Sequence, residues 1–476
     1  MHPPARIPAN TVEVRLAHSV TLMPWRGSRG EFLVGFYFMF FGFAKARSLA
    51  LALSFFLGFP SWAQTDEVRQ LQEVIVTATR TATRADDVMS DVTVLDQEAL
   101  RRNVGRSVSE VLARMAGVQT SSNGGLGKTS SVYVRGAENR HVLLLVDGVR
   151  VGSSTSGTAN FDSIPLEMIE RIEVLKGPAS ALYGSDAVGG VVQIFTRKGR
   201  EGFHPFASLT AGEWGRAELA AGFSAGTQTL RYAVSVQNQS EGGFSATNHR
   251  LGSTNTSGFN ADRDGYAQNS LQTSLNWQFL DGWSLEGLVV QADGVNHYDG
   301  GRNPFDVRGE STSAIRKIGL AGQILPAWKS RFELSSSADK STNLTSTSTS
   351  RFNTEQQQWS WQNEVATPVG KMFGGVEALS EIVDGTQRYT VNDRTTQSAF
   401  LGLSGSAGAH SWQANARHDR NNQFGFVSTG LVGYGYKVTP DFRVHGAYGT
   451  SFKVPSFNTL YWFDPVPTNF QGYRPE

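Results

Sequence analysis

The oxygen-bearing side chains with the most regular spacing lie in one short acidic turn. The segment Asn260-Ala-Asp262-Arg-Asp264-Gly265 places an amide and two carboxylates at alternate positions and ends in glycine. Calcium prefers clustered carboxylate and amide oxygens on a flexible loop. The same spacing is also typical of a solvent-exposed acidic turn, and the spacing alone favours this second interpretation.

Two further patterns could support chemistry, and both are incomplete. The run Gly124-Gly-Leu-Gly-Lys128-Thr129 is similar to the end of a phosphate-binding loop, but Ser122 stands where that pattern requires glycine. The nine His are scattered, and no two have i, i+4 metal spacing on a convincing helix. No Gly-x-Ser-x-Gly turn lies between a strand and a helix. We therefore expect neither an enzyme nor a nucleotide-binding protein.

The composition excludes several other classes of protein. The chain has 476 residues and no Cys, so disulfides, thiolate metal sites and Cys nucleophiles are excluded. Hydrophobic residues make up 39% of the chain and the mean hydropathy is -0.27, which excludes a bundle of transmembrane helices. A formal net charge of +1 gives no electrostatic reason to expect nucleic acid as a partner.

Residues 1–63 are predicted to be an N-terminal extension and a secretory signal peptide. The apolar run 48–59 follows two basic residues and precedes Ser61-Trp-Ala63, which has the small-x-small pattern of a cleavage site. A single long membrane anchor is the alternative. That anchor would bury Lys45 and Arg47 in the bilayer, at a cost of roughly 3 kcal/mol each.

A β-prone segment, Glu-Val-Ile-Val-Thr-Ala-Thr-Arg at 73–80, follows the predicted cleavage site and is flanked by polar sequence. Because the next domain has strands of its own, we predict that this segment is left unpaired. An unpaired strand is suited to addition to the sheet edge of another protein, where main-chain hydrogen bonds supply affinity. The alternative is that it is the first strand of the domain that follows.

Residues 85–199 are predicted to form a compact α/β domain. Ser107 and Glu110 have the spacing of a capping box, and an apolar helical stripe begins at Val108. The short polar link 136–140 between the first two strand runs predicts a β-hairpin. Four runs have strand character, namely 131–135, 141–146, 170–175 and 191–196.

From about residue 203 the chain changes to a period of two, with apolar residues such as Leu271 and Leu275 alternating with Gln272 and Ser274. Such strands suit a soluble sandwich or a membrane barrel equally. Segments of roughly ten residues, aromatic residues near their ends, and the alternation of tight turns with long polar loops favour the barrel. At this spacing the rest of the chain leaves room for roughly 12–14 strands.

Three segments in fixed order carry a resemblance to a known family. They are VYVRG (132–136), HVLLLVDG (141–148) and IPLEMIERIEVLKGPASALYGSDAVGGVVQIFT (164–196). This series closely resembles the plug domain of TonB-dependent outer-membrane receptors. Within that family the chain is most similar to the cobalamin receptors, on GGLGKTSSVYVRG, HVLLLVDGVRV and SGTANFDSIP.

The resemblance implies a mainly β fold, in which an N-terminal α/β plug domain (85–199) lies inside a transmembrane antiparallel β-barrel (200–476). A TonB box and linker would occupy 64–84. Plugged transporters of this kind have about 22 strands. The chain is therefore expected to hold an incomplete barrel and to be a C-terminally truncated fragment. In line with this, its final Pro-Glu resembles a family loop motif that lies within the barrel.

The resemblance also implies candidate site residues. The TonB box would be Val74, Ile75, Val76, Thr77 and Ala78. The substrate-binding positions would be Thr129, Ser131, Glu138, Thr155 and Ser156, with Glu138 standing where the cobalamin receptor has an amide residue. Calcium, the one cofactor expected, would be held by Asn260, Asp262, Asp264 and Asp293, although Ala292 replaces a Tyr of the family pattern.

The function implied is that of a receptor in the outer membrane of a Gram-negative bacterium, surrounded by lipid. It would bind a scarce, bulky nutrient and transport it with the help of TonB and its inner-membrane energising complex. Cobalamin is the first expectation for the substrate, and a ferric siderophore or haem is the second. A passive porin or adhesin is the alternative class, which the plug motifs and the segment 73–80 disfavour because a porin needs neither.

Overall fold

The computed structural model describes most of the chain after residue 87. The predicted signal peptide, Val74, Thr77, Ala78 and Asn260 lie outside the described residues. Among the described residues, no helix is long and apolar enough to cross a membrane. The described residues are 75–76, 80–81, 83–84, 88–245, 262–299, 306–439 and 442–462.

The first described residues form a short antiparallel pair, β1 (Ile75–Val76) with β2 (Thr83–Arg84). Ile75 lies opposite Arg84, and Val76 lies opposite Thr83. The expectation of an unpaired segment is therefore wrong for these two residues. A chain that turns back within a few residues can satisfy strand hydrogen bonds locally, without waiting for a partner.

The α/β domain contains a five-stranded mixed sheet in the order β3-β8-β9-β6-β7, in which β6 and β9 are parallel. A separate pair, β4 and β5, lies beside it. The elements are β3 (Asp91–Leu95), α1 (Gln97–Arg101), α2 (Val108–Leu112), β4 (Val118–Ser122), β5 (Ser130–Val134), β6 (Val142–Val146), β7 (Val149–Val151), β8 (Ile169–Lys176), α3 (Ser180–Tyr183) and β9 (Gly190–Thr196).

Local sequence signals specify several of these elements. The Ser107 side chain accepts a hydrogen bond from the Glu110 amide, and the Glu110 carboxylate accepts one from the Ser107 amide, so the capping box is confirmed. The four strand runs are also confirmed within one or two residues. The β-hairpin predicted across 136–140 is wrong, because β5 pairs with β4 whereas β6 pairs with β7 and β9.

The described residues from 202 onwards form one antiparallel sheet of 13 strands, each paired with its neighbours in sequence. This number agrees with the predicted range. The strands are β10 (Gly202–Ala211), β11 (Ala217–Gly226), β12 (Leu230–Glu241), β13 (Tyr266–Leu280), β14 (Trp283–His297), β15 (Arg308–Leu325), β16 (Trp328–Leu344), β17 (Thr349–Thr367), β18 (Gly370–Gly385), β19 (Asp393–Ala407), β20 (His410–Asn421), β21 (Gly425–Thr439) and β22 (Phe442–Gly449). A short helix, α4 (Phe457–Tyr461), follows them.

The sheet is open within the described residues, since β10 and β22 each pair with one neighbour only. Several strands are longer than the roughly ten residues that a tilted strand needs to cross a bilayer. The longest, β17, has 19 residues. The predicted length was too short because strands such as β15 begin in polar sequence, 308–313, before their apolar residues.

The outer face of this sheet carries apolar side chains and its inner face carries polar ones, the reverse of the arrangement in a soluble sandwich. Leu219, Val236 and Leu271 are exposed on the outer face, with Leu219 56% exposed. Gln237 and Gln272 alternate with them and are buried on the inner face. A soluble sandwich buries its apolar face, whereas a membrane barrel turns it to lipid. The observed burial therefore favours the barrel.

The inner face of the sheet lies against the α/β domain. Leu288, Val290 and Ile315 join the hydrophobic core of that domain, where they are buried with Phe161 and Ile194. Polar contacts accompany this packing at other points of the inner face. The Gln272 amide donates to the main-chain oxygen of Arg197 at 3.0 Å, and the Lys317 ammonium donates to that of Asp147 at 2.8 Å.

Candidate functional site

A polar cavity of about 490 Å³ lies between the α/β domain and the inner face of the sheet. Four of the five predicted substrate-binding residues line it. Thr129 comes from the loop before β5, Ser131 from β5 itself, and Thr155 and Ser156 from the turn after β7. The fold thus brings together hydroxyl groups that are up to 27 positions apart in the sequence.

Glu138 does not line this cavity. Its carboxylate forms an exposed ion pair with Arg140 at 2.9 Å. The neighbouring Asn139 lines the cavity instead, and its amide donates to the Ser131 hydroxyl at 3.1 Å. The reason is a tight 3₁₀ turn over Asn139–His141, which rotates successive side chains in different directions.

The turn after β7 is held by its own hydroxyl groups. Ser153 and Thr155 share a hydrogen bond of 2.6 Å, and Ser156 and Thr158 share one of 2.8 Å. The Ser153 amide also donates to the Thr158 carbonyl at 2.8 Å. These local bonds compete well with water in a turn rich in Ser and Thr. They fix the exposed Ser156 at the edge of the cavity.

Ser154, which the sequence analysis did not identify, anchors this turn to the sheet. Its amide donates to the Thr354 hydroxyl at 3.0 Å, and its hydroxyl donates to the Glu381 carboxylate at 2.7 Å. Glu381 is paired in turn with Arg394 at 2.8 Å. No sequence signal could have identified these contacts, because they join residues 200 or more positions apart.

The acidic turn forms a carboxylate cluster, although not with the predicted membership. One carboxylate oxygen from each of Asp262, Asp264 and Asp299 lies within 4.8 Å of the others. We call these three residues the acidic cluster. Asp293 is not part of it, because its carboxylate accepts hydrogen bonds from Thr312 at 2.7 Å and Gln291 at 2.8 Å.

The alternation of β14 explains why Asp293 lies elsewhere. Ala292 and Gly294 are buried and line the cavity, so the side chain between them points to the opposite face of the sheet. Asp299 lies two residues beyond the end of β14. There the strand alternation no longer dictates the direction of the side chain.

A lysine side chain reaches the main chain beside the acidic cluster. The Lys128 ammonium donates to the Asn296 side-chain oxygen at 2.6 Å, to the Asp264 carbonyl at 3.1 Å, and to the His297 carbonyl. Burial lowers the pKa of the Lys128 ammonium, and the nearby carboxylates of Asp264, Glu241 and Asp299 act in the opposite direction. The Lys128 side chain thus contacts residues at the end of the sheet.

Arg80, the last residue of the β-prone segment, enters a buried ionic network on the sheet. Its guanidinium pairs with Glu377 at 3.0 Å and lies 4.3 Å from the centre of the Phe400 ring. Glu377 also pairs with Arg417 at 2.5 Å. The Arg80 carbonyl accepts a hydrogen bond from Gln362 at 2.9 Å. The end of the β-prone segment is therefore fastened to the wall of the sheet.

A second ionic junction joins the α/β domain to the segment after β22. Asp186 pairs with Lys453 at 2.6 Å and with Arg150 at 2.7 Å. Burial by itself raises the pKa of the Asp186 carboxyl. The two cations overcome this effect and hold that pKa at about 2.

Comparison with known proteins agrees with this architecture. The family model for the TonB-dependent receptor plug domain matches residues 84–191, and the model for the TonB-dependent receptor-like β-barrel matches residues 213–476. A protein named vitamin B12 transporter BtuB, from Photobacterium profundum, is 31% identical over 443 residues, which are 90% of this chain and 69% of that protein. The chain belongs to the TonB-dependent receptor family. The α/β domain is its plug, and the 13 strands belong to its barrel.

Other similar proteins fall into two groups by name. The vitamin B12 transporter BtuB of Vibrio cholerae serotype O1 is 29% identical to this receptor over 427 residues, 88% of this chain and 68% of that protein. Among solved structures, the siderophore receptor PirA from Acinetobacter baumannii matches with a TM-score of 0.66 and 19% identity, covering 79% of this chain and 63% of that one.

A mutant form of the ferric enterobactin receptor PfeA from Pseudomonas aeruginosa matches with a TM-score of 0.69 and 17% identity, covering 81% of this chain and 65% of that one. At these identities the solved structures show a shared fold. This TonB-dependent receptor chain spans less than two thirds of the length of the solved receptors that it matches.

Proposed function

We propose that the protein is an outer-membrane receptor that takes up a scarce, bulky nutrient with energy supplied through TonB. The observation that supports this most directly is the plug packed against the inner face of the barrel, with a β-prone segment at its start. A passive pore needs an open lumen and no such segment. The polar cavity between plug and barrel is the proposed binding site, and the family consists of receptors and transporters rather than enzymes.

The segment around Ile75 and Val76 is the proposed TonB box. Within the described residues, its pairing with Thr83 and Arg84 covers two residues on each strand, and a short two-stranded pair is marginally stable in water. A partner that offers a longer sheet edge can therefore replace it. The proposed coupling is an exchange of this short internal pairing for pairing with TonB.

A proline substitution tests this coupling. Val76→Pro removes a main-chain donor, so it should abolish energised uptake and leave surface binding of the nutrient unchanged. Val76→Thr keeps the amide and the preference for strand, and it is the matched control. Uptake and binding of labelled nutrient would be measured in cells that express each variant. Uptake that survives the proline would overturn the assignment.

Cobalamin is the proposed substrate, and the names of the two BtuB relatives support it. A ferric siderophore is the second candidate, supported by the names of the solved receptors that share the fold. Titration of the purified protein with cobalamin and with a ferric catecholate separates the two candidates. Saturable binding of the catecholate alone would overturn the first choice.

A substitution at the cavity edge links binding to the proposed site. Ser156 is exposed and lines the cavity, so Ser156→Trp should block a bulky ligand and weaken its binding at least about tenfold. Ser121→Trp places the same ring on β4, at an exposed residue that does not line the cavity. Equal binding by the two variants would place the ligand elsewhere.

Calcium binding remains a proposal, and the acidic cluster is the proposed site. Three carboxylates within 4.8 Å provide the hard oxygen donors that calcium prefers. The residues that would hold the ion are Asp262, Asp264 and Asp299. A bound ion would neutralise their mutual repulsion and fix the loop ends. Calorimetric titration of the purified protein with calcium, and of an Asp299→Asn variant, tests this assignment.

A further inference from the structure

The Lys128 side chain joins the plug to the end of one strand pair of the barrel. Lys128 is only 8% exposed, although lysine is rarely buried without a partner. Its acceptor at Asp264 lies two residues before β13, its acceptor at His297 is the last residue of β14, and Asn296 lies beside them. In the same place, the His297 amide donates to the Gly265 carbonyl at 2.9 Å. The ammonium therefore closes the end of the β13–β14 ladder.

The backbone before Lys128 is adapted to this close approach. Gly127 has a φ of +73°, and a Cβ at this position would overlap the ring of Tyr266, the first residue of β13. Glycine therefore lets the plug loop lie directly on the strand end. The side chain that follows enters the barrel wall instead of pointing to solvent.

The charges at this strand end favour a cation nearby. The acidic cluster brings three carboxylates within 4.8 Å, where like charges repel one another unless a positive charge lies near. The Lys128 ammonium lies 3.1 Å from the main-chain oxygen of Asp264, and the carboxylates of Asp264, Glu241 and Asp299 favour its charged form. Its positive charge offsets part of the repulsion that a bound metal ion would otherwise relieve.

We propose that Lys128 is a tethered cation that occupies one cation position beside the acidic cluster. It fastens the plug to the β13–β14 end without a metal. Its charge also lowers the affinity of the cluster for calcium. The inference rests on the proposal that the cluster can bind calcium. It assigns a role to a lysine that the sequence analysis left in a plain loop. The nature of the transported nutrient does not enter into it.

Removing the charge tests the proposal. Lys128→Gln should make the melting temperature of the purified full chain fall in EGTA and recover as calcium is added, with an apparent calcium Kd about tenfold tighter than that of the wild type. Lys371→Gln removes a half-exposed lysine on the barrel and is the matched control. A second substitution, Asp262→Asn, in the Lys128→Gln background should restore the charge balance and remove the dependence on calcium.

Each outcome decides the proposal. Equal calcium affinity in the wild type and Lys128→Gln would overturn it while leaving the calcium site standing. Calcium binding by Lys128→Gln alone would support it and overturn the calcium proposal for the wild type. If neither the wild type nor Lys128→Gln binds calcium, both the Lys128 proposal and the calcium proposal are overturned.

A measurement on the wild type does not depend on the folding of any variant. Hydrogen exchange of the His297 amide should be slow in EGTA, because Lys128 holds this end without metal. Exchange in EGTA as fast as that of an unprotected amide would overturn the proposal.

Discussion

At the scale of single residues, the ionic contacts of the plug with the barrel differ from ordinary surface pairs. Exposed ion pairs contribute little to stability, whereas breaking a buried pair by removing one partner leaves an uncompensated charge. Arg80, Glu377 and Arg417 form such a buried network, with 6% exposure for the Glu377 side chain. Because Arg80 ends the β-prone segment that contains the proposed TonB box, movement of that segment would reach the barrel first through this network.

Glu377→Gln should loosen the N-terminal segment. Arg417 keeps a second ion-pair partner in Asp419 at 2.9 Å. The substitution therefore affects Arg80 more, because the Arg80 guanidinium loses its ion pair with Glu377. Trypsin cleavage after Arg80 should become about tenfold faster, which corresponds to about 1.4 kcal/mol of local opening free energy. Glu364→Gln, which removes a more exposed pair with Lys371, is the control. Unchanged cleavage in Glu377→Gln would show that the network does not hold this segment.

The Asp186 junction predicts a dependence of stability on pH. The folded-state pKa of about 2 lies below the ordinary aspartate value, so the ionised carboxylate stabilises the folded state above about pH 4. This contribution, about 2 kcal/mol, should be lost as the pH falls from about 4 towards 2.

Unfolding midpoints of the wild type and Asp186→Asn, measured across this range, test the prediction. The gap between the two proteins should narrow as the pH falls. Parallel curves would contradict the lowered pKa of the Asp186 carboxyl.

At the scale of elements, sequence signals specified the local structure of the plug better than the pairing of its strands. Ser107 and Glu110 formed the capping box that their spacing predicts, since both partners lie in one helical turn. The link between β5 and β6 did not form a hairpin, because partners in other parts of the plug offered each strand a better sheet edge. Short links permit hairpins, but burial of apolar strands decides whether they form.

The contact of the plug loop with β13 gives a prediction at this scale. Gly127→Ala should destabilise the protein by about 1–3 kcal/mol beyond the cost of its backbone conformation, because the new methyl group meets the Tyr266 ring. Gly136→Ala is the matched control, with a φ of +77° and no heavy atom within 4 Å of the added Cβ. Chemical denaturation of both variants measures the difference. Equal losses would mean that only the positive φ matters.

At the scale of the whole molecule, the outer face of the barrel predicts how the protein depends on lipid. Leu271 is exposed near the middle of β13, so Leu271→Arg should cost about 2–4 kcal/mol of folding free energy in a bilayer. Asn269→Arg, on the same face but nearer the strand end, should cost less. Unfolding from lipid vesicles provides the measurement. A negligible cost for Leu271→Arg would contradict the lipid-facing assignment.

The sequence by itself determined the family, the mainly β class, the approximate number of strands and four of the hydroxyl-bearing residues that line the cavity. These features depend on local patterns: capping residues, period-two alternation, and motifs in fixed order. Thr129, Ser131, Thr155 and Ser156 were predicted from a resemblance, and they do lie together around one cavity. Their role in binding stays a prediction.

Only the tertiary structure decided which side chains meet across the plug and barrel. The alternation of apolar and polar residues defines two faces of a strand but does not indicate which face is inside. The soluble sandwich therefore remained an alternative, and the side chain of Asp293 was assigned to the wrong place. The contacts of Lys128, Arg80 and Ser154 join residues that are 136 or more positions apart. Such pairings depend on strand register and on the direction of a side chain at a strand end, and no local pattern encodes either one.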